Sequence, residues 1–292
     1  MYKPIQKWKR RLVQGILGLV LIILFIGSVP KLRSLVVMGL VSFTQTFNVV
    51  GLDEGIRIDF VDPGHGDAQG LNWFSQMVLF NQSGVSFERL GLEGEGEAEL
   101  SIYYTFGDLK DGHSTIYDLD SPYNSAFYGA YVIKLKPENP LENENPLENR
   151  VSPNDLTEAV TRYDYTRLIL AQLGLDREKA YFNPEVGETR SNLTLFDSDS
   201  WTMTDAIIQT RSVTHMADGF LLHYLQFGKP KTQHLDEAFP ELTLYGRTYS
   251  KYFSEEEIYV IFYVQAPDKA LLEKTDEILL SKSKVMRRPK TD

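Results

Sequence analysis

The first strong pattern in the chain is an apolar run that begins close to the amino terminus. Leu12 to Val29 contains no charged residue, and five basic residues come before it, at positions 3, 7, 9, 10 and 11. At ~1.5 Å rise per residue, a helix over this run crosses most of a ~30 Å hydrocarbon core. The run is longer than the ~7–15 apolar residues of a cleavable secretion signal. The pattern predicts a retained transmembrane anchor over residues 1–33.

The basic residues also predict an orientation, because Lys and Arg are retained on the cytoplasmic side of a membrane. More of them precede the run than follow it, so we expect a cytoplasmic amino terminus, a single span and an extracytoplasmic body. A second, weaker apolar stretch covers Leu35 to Leu52 and contains several polar side chains. It is either a second span or the start of the folded domain, and its polar residues favour the domain.

The pattern then changes to the two-residue period of β-strands. From Ala98 to Phe106 the apolar residues alternate with polar ones, as a strand with one buried face requires. Tyr128 to Leu135 and Ile56 to Val61 are further apolar, β-branched runs of strand length. Residues 34–136 are therefore predicted to form a strand-rich extracytoplasmic part.

A tandem repeat follows these strands. The hexapeptide Glu138 to Asn143 is repeated without change as Glu144 to Asn149, and each copy contains a proline. Proline removes a backbone donor and disfavours helix at the residue before it. We interpret residues 137–152 as a linker, which either divides two domains or forms a long loop within one.

Downstream of the linker the spacing of apolar residues favours helices. It predicts a helix that is capped by Asn154 or Asp155 and runs to about Leu173, and a second from Thr202–Thr204 to Phe227. A strand is predicted over Glu257 to Val264, and Pro267 then opens a helix to about Leu280. Residues 153–292 are predicted to be a mixed helix and strand part with a basic tail, so the fold class is α+β.

Composition narrows the function classes. The chain has 292 residues, 42% of them hydrophobic, and a formal net charge of −10. The absence of cysteine excludes disulfides, thiol catalysis and cysteine-ligated zinc. Twelve of the 30 Lys and Arg residues lie in positions 1–33 and 282–292, whereas 39 of the 40 Asp and Glu residues lie between them. So acidic a body is repelled by nucleic acid, which is therefore not an expected partner.

One segment offers metal chemistry. The sequence from Ile58 to Gly66 reads Ile-Asp-Phe-Val-Asp-Pro-Gly-His-Gly, and it resembles the strand and loop of zinc-dependent N-acetylmuramoyl-L-alanine amidases. That resemblance implies zinc as cofactor, His65 as a metal ligand, His113 as a second ligand and Glu88 as the catalytic carboxylate. The region from Gln69 to Phe80 has no acidic residue where the family has its glutamate. The alternative interpretation is a tight turn shaped by proline and glycine.

A second candidate site is aromatic. Tyr117, Tyr123 and Tyr128 lie in a tyrosine-rich stretch of the kind that a carbohydrate-binding surface needs. Alternating strands also bury aromatic residues routinely, so core packing is the competing explanation.

These patterns favour a membrane-anchored extracytoplasmic binding or assembly protein of the bacterial cell envelope, with no catalytic constellation and no cofactor. The expected partners are the membrane, through the amino-terminal helix, and an envelope protein or a glycan. The two alternatives are a zinc-dependent, amidase-like cell-wall hydrolase that uses His65 and an anchored carbohydrate-binding module. The lack of a catalytic constellation favours a protein that is not an enzyme, and the amidase-like alternative is the enzymatic interpretation.

Overall fold

A computed structural model describes residues 5–28, 43, 49–59, 77–90, 92, 95–105, 126–137, 151–163, 181–211 and 242–287. The fold is α+β with mostly strands, which form two antiparallel sheets. The helices are α1 (Ile5–Ser28), α2 (Phe87–Leu90), α3 (Pro153–Tyr163) and α4 (Lys269–Lys282). The strands are β1 (Ile56–Asp59), β2 (Met77–Ser86), β3 (Gly96–Thr105), β4 (Phe127–Pro137), β5 (Tyr181–Leu195), β6 (Ser198–Arg211), β7 (Leu242–Phe253), β8 (Ile258–Ala266) and β9 (Lys284–Arg287).

The larger sheet has seven strands in the order β2-β3-β4-β8-β7-β6-β5. Every neighbouring pair is antiparallel. Because β4 pairs with β8, strands from both sides of the hexapeptide repeat belong to one sheet. The repeat itself lies outside the described residues. Each residue of the central strand β8 is buried, as expected for a strand covered on both faces.

Two apolar clusters cover the two faces of this sheet. On one face Leu100, Ile133 and Ile261 pack with Leu156 and Val160 of α3. On the other face Val260 and Phe262 pack with Leu272 of α4, and with residues of β1 and β9. The strands β1 and β9 form the second, two-stranded sheet, which therefore lies on the same side of the large sheet as α4.

Several predicted strands are confirmed. In β3 the side chains of Ala98, Leu100 and Ile102 are fully buried, while the residues between them face the other side, as the alternation predicts. The strands β1, β4 and β8 also lie where apolar, β-branched runs predict them. The helix α4 is confirmed as well, and Asp268 caps it by accepting the N–H of Ala270.

The N-cap of α3 lies two or three residues before the predicted one. Ser152, not Asn154 or Asp155, is the N-cap, since its hydroxyl accepts the N–H of Asp155 at 3.1 Å. The carboxylate of Asp155 in turn accepts the N–H of Ser152, which completes a capping box. Pro153 occupies the first helical position, where its missing N–H is harmless. The predicted continuation over residues 164–173 lies outside the described part.

The predicted helix from Thr202–Thr204 to Phe227 is wrong over its first residues, because β6 is a strand to Arg211. Burial there alternates: Ile207 and Gln209 are exposed, whereas Ile208 and Thr210 are fully buried. Thr and Ile are β-branched and favour the extended backbone. Pairing with β7 satisfies the backbone groups of this segment and overrides its weak helical period. Residues 212–227 are not among those described.

The turn between β5 and β6 packs against the core through Phe196. Phe196 and Asp197 both have positive φ angles, of 51° and 60°, as a two-residue hairpin turn with the correct twist requires. The ring of Phe196 stacks on Phe262 at 4.2 Å between centroids. Its carbonyl accepts the N–H of Val285, so the hairpin tip also holds β9 in place.

The helix α1 stands apart from these layers. Its large apolar side chains from Ile16 to Phe25, where described, are between 45% and 63% exposed. Among the described residues, no helix combines the length and the apolarity that a membrane span requires.

Candidate binding face beside the Arg247 network

Arg247 of β7 lies at the centre of a charged network that joins β6, β7 and α4. Its Nε donates to Asp205 Oδ1 at 2.7 Å, and its Nη1 donates to Asp276 Oδ2 at 2.8 Å. Both Nη atoms also donate to Glu273, at 2.9 and 3.0 Å. Tyr249 adds its hydroxyl, which donates to Asp276 at 2.7 Å. We call these five residues the Arg247 network.

Burial controls the electrostatics of the Arg247 network. Burial disfavours the charged guanidinium, but the hydrogen bonds to Glu273, Asp205 and Asp276 outweigh it and raise the pKa of Arg247. Burial raises the pKa of Asp276, and the hydrogen bonds from Arg247 and Tyr249 only partly oppose this. By contrast, the pKa of the exposed Glu273 is lowered, because its carboxylate accepts hydrogen bonds from Arg247.

The Arg247 network connects secondary-structure elements and does not form a ligand site. An arginine has five N–H donors, and the described bonds direct all five at carboxylates. Arg247 therefore has no donor left for an incoming anion. What the network does is hold α4 against β6 and β7, because two of its carboxylates come from that helix.

Beside the Arg247 network, the face of β5 and β6 on the α4 side is exposed to solvent. Ile207 is 40% exposed, and it pairs across the strands with Glu185 on one side and Tyr245 on the other. Lys269 of α4 lies over the Tyr245 ring, 5.2 Å from its centroid. Glu188, three residues after Glu185 on β5, is also exposed. We call the surface formed by Glu185, Glu188, Asp205, Ile207 and Tyr245 the Ile207 face.

The edge of the sheet next to the Ile207 face is poorly suited to pairing with another strand. Pro184 removes one backbone donor from β5. The pairing of β5 with β6 also changes register three times, between Val186 and Thr189, Arg190 and Leu193, and Leu193 and Leu195. Such bulges twist an edge away from regular pairing. A partner at this end of the sheet therefore meets side chains on the face rather than backbone at the edge.

The residues singled out from the sequence are not brought together in the described structure. Glu88 lies exposed on the short helix α2. Tyr128 is buried in the core on the α4 side of the sheet. His65, His113, Tyr117 and Tyr123 fall outside the described residues, so the zinc site and the glycan surface stay predictions. Within the described ranges no group of three His, Asp or Glu side chains is arranged to hold a metal ion.

Comparison with known proteins finds no matching family model, no matching curated protein and no matching solved structure. The described surfaces are therefore what indicates a function for this chain. One signal in the sequence points to the Arg247 network: Glu273 and Asp276 are three residues apart, so they share one face of a helix. Their partner Arg247 lies in a strand with few other charges, and this pairing across elements was not predicted.

Proposed function

We propose that this chain is a membrane-attached binding or assembly protein whose β-sheet domain acts on the outer side of the cell membrane. The observation that carries the proposal is the exposure of α1. Eight large apolar side chains between Ile16 and Phe25 are 45–63% exposed, and exposure of this kind favours a second environment that covers them. Around Gly15 and Gly18 no described atom lies near enough to contact an added Cβ, so these two positions are not covered by the described part of the domain.

A lipid bilayer is the environment that suits this helix. The apolar part of α1 begins only at Leu12, after Arg11, so it is shorter than the ~20 residues of an average span. Short apolar segments are accommodated by local thinning of the bilayer and by basic side chains that reach to the headgroups. The basic residues before Leu12 can do this on the cytoplasmic side.

The Ile207 face is the surface that we assign to the partner. An exposed apolar side chain surrounded by carboxylates is complementary to a protein that presents basic side chains around an apolar one. Glu185 supplies negative charge and Ile207 supplies the apolar contact, while Glu188 is an exposed carboxylate that already forms an ion pair with Arg190. We therefore propose an envelope protein with a basic surface as the partner.

Membrane attachment is tested with the full chain. The double substitution Leu21→Arg with Leu24→Arg places two charges in the apolar part of α1, each costing about 2.5–3.5 kcal/mol at the centre of an inserted helix. We expect the wild type to stay in the membrane pellet after alkaline carbonate extraction and the variant to move to the supernatant. The control is Leu21→Val with Leu24→Val, which keeps the helix apolar and is expected to stay in the pellet. Complete extraction of the wild type contradicts the proposal.

The binding face is tested by charge reversal. Glu185→Lys with Glu188→Lys is compared with Glu95→Lys with Glu97→Lys, since both pairs are exposed and change the net charge equally. The measurement is the amount of protein cross-linked to the full chain in intact cells, quantified by mass spectrometry. We expect about tenfold less cross-linked partner for the first pair, a loss of ~1.4 kcal/mol in binding, and little change for the second. Equal recovery from both variants contradicts the assignment.

A further inference from the structure

Helix α4 covers only part of its face of the seven-stranded sheet. It lies over β7 and β8, where Lys269 stands over the Tyr245 ring and Leu272 packs in one cluster with Phe262. Among the described elements, no helix continues this layer over β5 and the neighbouring part of β6. The residues that point to the α4 side there are exposed, and we call them the uncovered strip: Tyr181, Asn183, Glu185, Ile207 and Gln209.

The strand register makes the uncovered strip continuous. Glu185 of β5 pairs directly with Ile207 of β6, and paired residues of antiparallel strands share a face. Phe182 packs with the cluster on the α3 side, so Tyr181 before it points to the α4 side. Tyr181 is 43% exposed and Ile207 is 40% exposed, so the strip offers two apolar contacts on one surface.

The dimensions of the uncovered strip suit a single helix. Neighbouring strands lie ~4.8 Å apart, so β5 and β6 with their side chains form a surface ~10 Å wide. An α-helix with its side chains has a diameter of ~10–12 Å, and packed helices lie ~8–10 Å apart. One helix therefore fits on β5 and β6 beside α4, and it continues the layer that α4 begins.

The charges and spacings of the uncovered strip define what such a helix presents. Glu188 and Asp205 already form ion pairs with arginines of this sheet. Among the described side chains, none forms an ion pair with Glu185, so a basic side chain of a partner complements it. Paired residues such as Glu185 and Ile207 have Cβ atoms ~4.5–5.5 Å apart. This matches the ~5–6 Å between helix positions three or four residues apart.

A strand is the less suitable element for the partner. Strand addition needs regular backbone groups at the edge of the sheet. Pro184 and the three register changes of β5 interrupt those groups. A helix instead uses side chains alone, and side chains are what the uncovered strip offers.

We infer that the partner binds the uncovered strip through an amphipathic α-helix that lies beside α4. An apolar side chain of this helix contacts Ile207, and a basic side chain three or four residues away pairs with Glu185. Tyr181 is the second apolar contact, as exposed tyrosines are at many interfaces. The inference rests on the proposed function, since it names the binding element of the partner proposed for the Ile207 face.

The spacing of cross-links on the partner tests the inference. The photo-reactive residue benzoylphenylalanine replaces Tyr181 or Glu185 in the full chain, and the attachment sites in intact cells are mapped by mass spectrometry. These two positions lie four residues apart on β5, a distance of ~13 Å. That distance corresponds to about nine residues of a helix but only about four of an extended strand. We expect attachment sites about nine residues apart in one segment of one protein.

The control position is Met286, because it is exposed to the same extent as Ile207 but lies on β9. We expect no attachment of that segment there. Sites about four residues apart, sites in unrelated segments, or attachment of both probes to this chain itself overturn the inference and leave the charge-reversal test of the Ile207 face to stand by itself. Equal recovery of partner from both charge-reversal pairs overturns the inference together with the proposed function.

Discussion

Replacing Arg247 by methionine is expected to lower the free energy of unfolding by about 3 kcal/mol, the lower end of the cost of removing one partner from a buried ion pair. The guanidinium is only 15% exposed, and the carboxylate of Asp276 is only 5% exposed. Without Arg247 the Asp276 carboxylate stays in the protein without its counter-ion and close to Glu273. Methionine fills a similar volume, so the decrease in the free energy of unfolding reflects the lost charge and not a new cavity. Urea unfolding of the full chain in detergent micelles measures the difference.

The matched control is Arg190→Met, because Arg190 forms an ion pair with Glu188 on the exposed surface of β5. Exposed pairs contribute little to stability, so this variant is expected to unfold almost as the wild type does. Adding Asp276→Asn to Arg247→Met is expected to recover most of the loss, since the amide still accepts a hydrogen bond from Tyr249 and carries no charge. A double variant as unstable as Arg247→Met alone contradicts the electrostatic explanation.

The pH dependence of Arg247→Met follows from the pKa of Asp276. Burial already raises that pKa above 3.8 in the wild type, and losing Arg247 removes an interaction that opposes the rise. A carboxyl whose folded-state pKa is raised stabilises the folded state at low pH and loses that contribution as the pH increases through its folded-state pKa. The difference in free energy of unfolding between the wild type and Arg247→Met is therefore expected to be larger at pH 8 than at pH 5. A stability difference that becomes larger as the pH is lowered contradicts the explanation through Asp276.

Replacing Gly129 by alanine is expected to cost about 3 kcal/mol, at the upper end of the cost of overpacking a core. Gly129 lies on β4 in the middle of the seven-stranded sheet. A Cβ at this position overlaps the backbone oxygen of Tyr103 and lies 2.8 Å from Tyr263 Oη. The tyrosine ring can move only by disturbing the core, and the backbone oxygen belongs to the neighbouring strand β3. Thermal unfolding of the full chain, followed by circular dichroism, measures the shift in Tm.

Gly246→Ala is the control because Gly246 lies on β7 in the same sheet. The nearest atom to its added Cβ is Ile208 Cδ1 at 3.6 Å, an ordinary contact. Alanine also reduces the conformational freedom of the unfolded chain, so this variant is expected to be neutral or stabilised by ~0.4–1 kcal/mol. Similar losses in the two variants would show that glycine is needed for its backbone freedom and not for the space beside Gly129.

Local patterns in the sequence predicted much of the fold. The strand β3 follows from the alternation of its apolar residues, β1, β4 and β8 follow from apolar, β-branched runs, and the helix α4 follows from Pro267 just before it. The strand β6 was predicted as a helix because its threonines obscure the two-residue period. Those threonines are buried polar positions, such as Thr204 and Thr210. Their burial depends on hydrogen bonds across elements, such as the one between Thr189 and Thr204, which local pattern does not reveal.

The candidate surfaces were less predictable. Ile207 and Ile208 are adjacent and chemically alike, yet one is exposed and the other is fully buried. The difference arises because Ile208 faces the apolar cluster that contains α3, whereas Ile207 lies on the opposite face, on the side of α4, where it stays exposed. Similarly, Val285 and Met286 are neighbours in the sequence, yet Val285 packs in the core and Met286 is 40% exposed, because β9 turns only one side towards the large sheet.

What the sequence by itself determined is therefore local and compositional: an apolar amino-terminal helix after a basic segment, an acidic body without cysteine, and the elements whose side chains repeat with a clear period. These follow from residue type and spacing alone. The tertiary structure alone decided which strands are neighbours, that Arg247 meets carboxylates from β6 and α4, and that the two ends of the domain lie together. Those contacts join residues far apart in the chain, and their energy depends on burial and geometry that arise only when the sheet forms.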